Sequence, residues 1–304
     1  MVSQNKMVQE LDDLKSRRNA ILLVHNYQVP ELQDVADFRG DSLGLSRKAA
    51  ESDADVIVFC GVHFMAETAS ILCREKTVLI PDLHCGCPMA DMIDAEQLRA
   101  LKREHPGAVV VCYVNSSAEV KAESDLCCTS ANSQEIVNSV GKDRSIIFVP
   151  DRFLGTYTAS QTGRDLILWD GYCPVHANMS PEDIARARRE HPGAAIVVHP
   201  ECGPEVTEKA DAVESTSGMC RFSGKTKANE IVVGTEVGMI YRLQTDYPDK
   251  SFYPLLKSAE CAGMKRNSFQ KVVFALREMQ HKVKVPEDIA ERAEDAINAM
   301  VQAG

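Results

Sequence analysis

The segment Arg103-Glu-His-Pro-Gly-Ala-Val-Val-Val (103–111) returns as Arg189-Glu-His-Pro-Gly-Ala-Ala-Ile-Val (189–197), 86 residues later and with the first six residues identical. In both copies a charged segment is followed by Pro-Gly and then by an apolar run. Six identical residues in a row rarely arise by chance, so the match indicates an internal duplication. A weaker first copy begins at Ala20-Ile-Leu-Leu-Val, 88 residues before Ala108-Val-Val-Val-Cys. The sequence therefore predicts three copies of one unit.

Each copy contains two more apolar segments that read as strands. They begin, unit by unit, at Val56 and Thr77, at Ser145 and Asp165, and at Ile231 and Ser251. Continuous apolar strands that alternate with helical stretches such as 42–52 are typical of parallel sheets covered on both faces. We therefore expect an α/β fold with three homologous parallel-sheet α/β/α sandwich units, arranged with pseudo-threefold symmetry around one active site.

The repeat also sets the expected domain organisation. Residues 1–88 form the first unit, 89–175 the second, and 176–304 the third with an added C-terminal helix. The last helix is expected because Pro286-Glu-Asp-Ile-Ala echoes Pro181-Glu-Asp-Ile-Ala in the helix that opens the third unit. We expect it to pack on the first unit and to close a ring.

Composition restricts the class of protein. The 304 residues carry a net charge of −10 and 44% of them are hydrophobic, yet no apolar run approaches the ~20 residues that a transmembrane helix needs. Residues 1–18 are polar and contain acids, unlike a signal peptide. An acidic protein is a poor partner for nucleic acid, whose phosphates are bound by surplus Lys and Arg. We expect a cytoplasmic protein with neither a membrane nor a nucleic-acid partner.

Three of the 11 cysteines recur with the spacing of the repeat. Cys87, Cys173 and Cys261 each follow the third predicted strand of their unit, at intervals of 86 and 88 residues. The chain has no CxxC pair of the zinc-ribbon or thioredoxin kind. Equivalent residues converge on a pseudo-threefold axis, so three thiolates would face one point. Three thiolates suit a [4Fe–4S] cluster with one iron free of protein ligands, and such an iron can act as a Lewis acid.

The other cysteines fit the usual role of small buried hydrophobes. They are Cys60, Cys73, Cys112, Cys127, Cys128, Cys202 and Cys220. Cys85 is harder to interpret because it lies two residues from Cys87. It could be a ligand, a bystander or a redox-sensitive neighbour.

Polar residues also recur at equivalent positions after the first strand of each unit, where ligands of parallel α/β sheets bind. One set is His25, Tyr113 and His199, and a second set is Tyr27, Asn115 and Glu201. A third set consists of hydroxyls near expected helix starts, Ser42, Ser130 and Thr216. Hydroxyls and N–H groups at helix starts bind carboxylates and phosphates, so the sequence predicts an anion site.

With these residues in place, the chain resembles bacterial quinolinate synthases over nearly its whole length. The segments that carry the resemblance are His25-Asn-Tyr-Gln, Gly61-Val-His-Phe-Met-Ala-Glu-Thr, Cys87-Pro-Met-Ala-Asp-Met, Tyr113-Val-Asn, Cys173-Pro-Val-His, His199-Pro-Glu-Cys, Ser215-Thr-Ser-Gly, Gly234-Thr-Glu-Val-Gly and Cys261-Ala-Gly-Met-Lys. Members of this family condense iminoaspartate with dihydroxyacetone phosphate, release phosphate and water, and deliver quinolinate for NAD biosynthesis. The resemblance also implies a three-unit fold with one [4Fe–4S] cluster, in agreement with the repeat.

The matching motifs imply particular site residues. The cluster ligands would be Cys87, Cys173 and Cys261, and the substrate site would be lined by His25, Tyr27, Ser42, Tyr113, Asn115, Ser130, His176, His199, Glu201 and Thr216. Some members carry a CxxCxxC near the C-terminus that can form a disulfide. Only Cys261 is present here, so that form of redox control is not expected.

The implied reaction requires proton transfers at defined atoms, for which these residue types are suited. Glu201, beside His199, is the candidate principal base, and Tyr27 and His25 would assist the ketose-to-aldose shift. His176 lies near Cys173 and is a further catalytic candidate. The binding roles we expect are quinolinate carboxylates for Ser42 and Ser130, orientation for Asn115 and Tyr113, and phosphate for Thr216.

Two other functions compete with this interpretation. Another [4Fe–4S] hydro-lyase of the aconitase type would share the open iron and the anion-binding hydroxyls, and product analysis would separate it. A non-enzymatic iron–sulfur sensor would need a basic stripe or an exposed apolar face, and the sequence shows neither of them clearly. The instability of iminoaspartate predicts a functional link to an L-aspartate oxidase or dehydrogenase.

Overall fold

Three four-stranded sheets, in which all strands are parallel, form the frame of the protein in a computed structural model that describes residues 2–303. The first sheet contains β1 (Ala20–His25), β2 (Phe38–Gly40), β3 (Val56–Cys60) and β4 (Thr77–Leu79). The second contains β5 (Val109–Tyr113), β6 (Leu126–Cys128), β7 (Ile146–Val149) and β8 (Leu166–Leu168). The third contains β9 (Ala195–Val198), β10 (Ala212–Val213), β11 (Glu230–Gly234) and β12 (Ser251–Pro254).

The three sheets share one topology. Their strand orders are β2-β1-β3-β4, β6-β5-β7-β8 and β10-β9-β11-β12. The register repeats as well, because Val24 pairs with Cys60, Cys112 with Val149 and Val198 with Gly234. The predicted α/β fold of three repeated parallel-sheet units is therefore confirmed.

Each sheet also has a strand that the sequence analysis did not name. These additional strands, β2, β6 and β10, have two or three residues and lie at the sheet edge. Such short segments carry neither an alternating pattern nor a recognisable apolar run, so periodicity cannot reveal them. The expectation of three strands per unit was incomplete, although the three expected strands occur in every unit.

Helices connect the strands and cover the sheets. With the first sheet come α1 (Val2–Arg18), α2 (Pro30–Gln33), α3 (Ser42–Glu51) and α4 (His63–Leu72). With the second come α5 (Ala95–Glu104), α6 (Ala118–Ala122), α7 (Ser133–Ser139) and α8 (Arg152–Thr162). With the third come α9 (Pro174–Ala177), α10 (Pro181–Glu190), α11 (Pro204–Thr207), α12 (Thr216–Lys225) and α13 (Gly238–Asp246). The chain continues with α14 (Phe269–Glu278) and α15 (Glu287–Gln302), and two 3₁₀ turns span Ala90–Met92 and Met264–Arg266.

The duplicated Arg-Glu-His-Pro-Gly segment ends a helix in both copies. Helices α5 and α10 begin with capping boxes and end with His105 and His191 as C-caps. The proline that follows each histidine cannot continue the helix. In the first of these turns Gly107 has a φ of 83°, a conformation that favours glycine. The turn then directs the chain into β5 or β9, the first strand of its unit.

The C-terminal helix α15 joins two units. Its buried face consists of Ala290, Ala293, Ala296, Ile297 and Met300. Helix α15 packs against α4 after the first sheet and against α6 and β6 of the second. Helix α14 returns to the first unit and packs on α1 and β3. The unit limits at residues 88 and 175 remain predictions.

None of the helices in the described part of the chain is both long enough and apolar enough to cross a membrane.

Candidate active site

One cavity lies where the carboxyl ends of strands from all three sheets meet. Its wall includes every residue that the sequence analysis assigned to the site: His25, Tyr27, Ser42, Cys87, Tyr113, Asn115, Ser130, Cys173, His176, His199, Glu201, Thr216 and Cys261. Acidic Asp41 and Glu236 also line it. The fold thus brings these residues together, whereas their individual roles remain predictions.

The three repeated cysteines contribute free, partly buried thiols to the cavity wall. Burial, together with the proximity of Cys261, raises the pKa of Cys87 to about 12. Burial likewise raises the pKa of Cys173, to which Glu201 and Cys87 add. Such thiols stay protonated at neutral pH unless a metal binds, since coordination removes the proton. Three soft sulfur donors facing one cavity fit an iron–sulfur cluster.

Two of the cysteine loops are held together by a close backbone contact. A Cβ atom at Gly263 would lie 2.1 Å from the carbonyl oxygen of Gly86. Gly86 directly precedes Cys87, and Gly263 follows Cys261 by two residues. Only glycine permits this approach, so it fixes the Cys87 loop against the Cys261 loop.

Cys85 packs behind these loops. It is fully buried, and its thiol donates to the side-chain oxygen of Asn267 at 3.5 Å. The Asn267 amide donates in turn to the carbonyl oxygens of Gly61 and Met264. Burial raises the pKa of Cys85 to about 12. Of the three roles left open for Cys85, these contacts match that of a bystander.

Glu201 follows strand β9 and is surrounded by hydrogen-bond donors. The Tyr113 hydroxyl donates to its Oε1, and His176 Nδ1 lies 2.7 Å from its Oε2. His199 Nδ1 is 3.9 Å from Oε2. Burial by itself would raise the pKa of Glu201, but His176 and the hydrogen bonds that His176 and Tyr113 donate together hold that pKa below its ordinary value. The carboxylate is therefore ionised and can accept protons.

Two histidines on the wall are neutral at neutral pH. Burial lowers the pKa of His199 to about 3 and that of His25 to about 4. His199 Nε2 lies 3.2 Å from the Ser130 hydroxyl. The ring of His25 meets the ring of Tyr27 edge-on at 4.6 Å between centroids. Neutral imidazoles can either accept or donate a hydrogen bond, which suits a site where protons move.

The hydroxyl set lies where an anion could bind. Ser42 and Thr216 are the first residues of α3 and α12, as expected for helix starts. Ser130 instead lies in the loop three residues before α7, which begins at Ser133. Thr216 already accepts a hydrogen bond of 2.9 Å from the Asn26 amide.

The cavity wall is polar but lacks cationic side chains in the described part of the chain. Within residues 2–303, no lysine or arginine contributes to its wall. The buried Oδ1 of Asn115 has no hydrogen-bond partner among those residues. A buried polar atom without a partner is costly unless a ligand supplies one. Hydroxyls, imidazoles, helix N–H groups and the Asn115 amide are therefore available for a polar, anionic substrate.

Sequence reasoning missed two residues of the third unit, Thr235 and Glu236. Thr235 Oγ1 lies 2.6 Å from the Tyr27 hydroxyl and 2.8 Å from His176 Nε2. Glu236 accepts hydrogen bonds from the amides of Gly238 and Cys261 and pairs with Lys265 at 2.8 Å.

The repeat contained the signal for both residues. They follow β11, a second apolar strand, and the sequence analysis considered only the ends of first and third strands. The strand register places Glu236 at the position of Asp151 in the second unit. Asp151 is likewise a fully buried carboxylate. A search along the ends of the second strands would have found this acidic pair.

Part of the wall could also bind a single metal ion. The sulfur of Cys173, a nitrogen of His176 and a carboxylate oxygen of Glu201 lie within 4.8 Å of one another. This set of S, N and O donors shares Cys173 with the set of three cysteines but differs from it in its other two members. Sulfide analysis distinguishes the two kinds of site, because only the cluster contains inorganic sulfide.

Comparison with known proteins agrees with the site. The family model described as quinolinate synthetase A protein (NadA) matches residues 9–302. A curated quinolinate synthase of Dehalococcoides mccartyi strain CBDB1 is 53% identical over 293 residues, covering 96% of this chain and 97% of that protein. That of Thermodesulfovibrio yellowstonii is 52% identical over 298 residues, 98% of each chain. That of Methanosarcina barkeri strain Fusaro is 48% identical over 300 residues, 99% of this chain and 98% of that protein. This chain therefore belongs to the quinolinate synthase family of enzymes.

Proposed function

We propose that the protein condenses iminoaspartate with dihydroxyacetone phosphate to form quinolinate, releasing phosphate and water, as a step of NAD biosynthesis. The observation that carries the proposal is the single cavity to which the three units contribute one repeated cysteine each, together with a buried, ionised Glu201. The substrates are small and anionic, which fits a wall of hydroxyls and imidazoles, and the unpaired amide oxygen of Asn115 can accept a hydrogen bond from a substrate N–H or O–H group.

The proposed cofactor is a [4Fe–4S] cluster held by Cys87, Cys173 and Cys261. When bound, it supplies a Lewis-acidic iron that polarises a substrate hydroxyl for departure as water. Three cysteine ligands suit this role because they leave one iron open. The contact between Gly86 and Gly263 supports the assignment, since it holds two of the ligand loops together.

Glu201 is the proposed principal base. Its carboxylate lies on the cavity wall and takes a proton from a substrate carbon next to an imine or carbonyl group. The hydrogen bonds from Tyr113 and His176 orient both carboxylate oxygens. His176 and His199, next to this carboxylate, stabilise its charge and share the transferred protons.

Tyr27 and His25 are proposed to assist the ketose-to-aldose shift of dihydroxyacetone phosphate. This shift moves a proton between adjacent carbons, with matching changes at two oxygens. The Tyr27 hydroxyl and the neutral His25 ring are neighbours on the wall and can exchange protons with those oxygens.

The carboxylates of quinolinate and the phosphate of the substrate are assigned to hydroxyls from the three units. Ser42 and Ser130 bind the carboxylates of quinolinate, while Asn115 and Tyr113 orient it. Thr216 and the N–H groups at the start of α12 bind the phosphate. The N–H of Gly218 is already bound by the N-cap Ser215, so the earlier N–H groups of this helix remain for the ligand.

The reaction also depends on a supply of iminoaspartate and on a reducing compartment. Iminoaspartate is unstable, so an L-aspartate oxidase or dehydrogenase has to supply it nearby. The free cysteines fit the reducing cytoplasm, where we place the protein. The family assignment favours neither a hydro-lyase of the aconitase type nor an iron–sulfur sensor.

Product analysis tests the proposed function. The protein is purified without oxygen, its iron and sulfide are measured, and it is supplied with dihydroxyacetone phosphate and freshly generated iminoaspartate. We expect quinolinate and phosphate in equal amounts, with comparable contents of iron and inorganic sulfide. Cluster-loaded protein that forms no quinolinate would contradict the function. One metal per chain without sulfide would instead indicate the site formed by Cys173, His176 and Glu201.

A further inference from the structure

A continuous chain of hydrogen bonds crosses the cavity wall and joins all three units. It runs from Tyr27 of the first unit through Thr235 and His176 to Glu201 in the third, and ends at Tyr113 in the second. Thr235 is the one member of this chain without a role in the proposed reaction. It belongs to the Gly234-Thr-Glu-Val-Gly segment, whose other polar residue, Glu236, binds the backbone around Cys261.

Thr235 is buried, and its side chain connects two other side chains. Its residue exposure is 1%, and its Oγ1 is 2.6 Å from the Tyr27 hydroxyl and 2.8 Å from His176 Nε2. A hydroxyl has one proton, so it donates to one neighbour and accepts from the other. The role of the Thr235 hydroxyl towards one neighbour therefore sets its role towards the other.

The partners of Thr235 place it between two functional groups. The Glu201 carboxylate only accepts hydrogen bonds, so His176 donates to it from Nδ1. The other ring nitrogen of His176, Nε2, faces the Thr235 hydroxyl, which also contacts the Tyr27 hydroxyl. Thr235 therefore connects the His176–Glu201 pair to Tyr27, whose side chain lines the cavity.

We propose that Thr235 is a positioning residue for the reaction, whose hydroxyl fixes the Tyr27 hydroxyl against the His176–Glu201 pair at the cavity wall. Without this link the Tyr27 hydroxyl would lose the partner that holds it in place. The inference rests on the proposed function, because Tyr27 acts there in the isomerisation step.

Paired substitutions isolate the hydroxyl of Thr235. Thr235→Val replaces it by a methyl group of nearly the same size, and Thr235→Ser retains it. A buried hydrogen-bonding group left without its partner costs roughly 1–3 kcal/mol. We therefore expect kcat of the cluster-loaded Val variant to fall about 10- to 100-fold with KM within about threefold, while the Ser variant stays within about threefold of wild type. Should the Val variant not fold, Thr235→Ala is compared with Thr235→Ser, since these two differ mainly in the hydroxyl.

A double-mutant cycle with Tyr27→Phe provides a readout that a purely structural role would not give. If Thr235 acts through Tyr27, adding Thr235→Val to Tyr27→Phe should reduce kcat no further than about twofold. Multiplied losses in the double variant would overturn the inference. So would a Val variant with full activity, or a Ser variant as slow as the Val variant. Wild type is assayed alongside, and its failure to form quinolinate would contradict the proposed function rather than this inference.

Discussion

Glu201 is the residue whose surroundings are most specialised for proton transfer. It is buried, yet the neighbouring His176 and Tyr113 side chains keep it ionised. Replacing it with Gln preserves its size but removes the charge and the basicity. General acid–base catalysis typically contributes ~10²–10⁴-fold. We expect Glu201→Gln to retain its iron and to lose at least ~10²-fold in kcat.

The control for this variant is Glu67→Gln. Glu67 is a partly buried carboxylate on α4 that contacts His63 and the Ala118 amide and does not line the cavity. Its substitution should leave kcat within a few-fold of wild type. The role of Glu201 as a base is refuted by a Gln variant whose turnover matches that of Glu67→Gln.

His25 links the site to the stability of the protein at acid pH. Its pKa is about 4 in the folded protein, against an ordinary value of 6.5, because burial disfavours the charged ring. Between these pH values the unfolded chain binds a proton that the folded protein does not, so stability falls as pH decreases from about 6.5 to about 4. The dependence reaches about 1.4 kcal/mol per pH unit for one proton.

Replacing His25 with Asn should remove the proton uptake that accompanies unfolding in this pH range. The free energy of unfolding, measured by urea titration from pH 7 to pH 4.5, is expected to decline less steeply in His25→Asn than in wild type. Comparing variants at equal iron content cancels acid effects on the cluster. Parallel profiles for the two proteins would show that His25 is not neutral in the folded state.

The starts of α3 and α12 and the loop before α7 carry the hydroxyls that we expect to bind the different anionic groups. Thr216→Ala should raise KM for dihydroxyacetone phosphate, whereas Ser42→Ala and Ser130→Ala should weaken quinolinate binding. Losing one hydrogen bond to a charged group costs about 1.5–3 kcal/mol, roughly a tenfold to hundredfold effect. Ser46→Ala is the control, because the Ser46 hydroxyl bonds within its own helix to the Ser42 carbonyl. If Thr216→Ala leaves KM for dihydroxyacetone phosphate unchanged, another hydroxyl must bind the phosphate.

Most elements that build the site could be recognised from the sequence, for a physical reason. Buried parallel strands such as β3 and β7 are continuous apolar runs, and ligands gather at their carboxyl ends. Edge strands such as β10, with two residues, carry no such signal. Sequence reasoning missed Thr235 because its importance depends on contacts with Tyr27 and His176 across units, which no local pattern encodes.

The whole molecule places one site between three repeated units. Each unit contributes a cysteine after its third expected strand and polar residues after its first. Helix α15 packs on both the first and the second unit, and Lys265 links the third to the first through Glu236 and the Tyr27 carbonyl. These bridges hold the units in the arrangement on which the convergence of the cysteines depends.

The iron and sulfide content of four cysteine variants tests this arrangement most directly. Cys87→Ala, Cys173→Ala, Cys261→Ala and the control Cys85→Ala are reconstituted without oxygen and analysed beside wild type. We predict that wild type and Cys85→Ala contain about four irons and four sulfides per chain, and that each of the other three has lost the cluster. Full iron and sulfide in any of those three, or their loss from Cys85→Ala alone, would contradict the proposal that one cysteine from each unit holds the cluster.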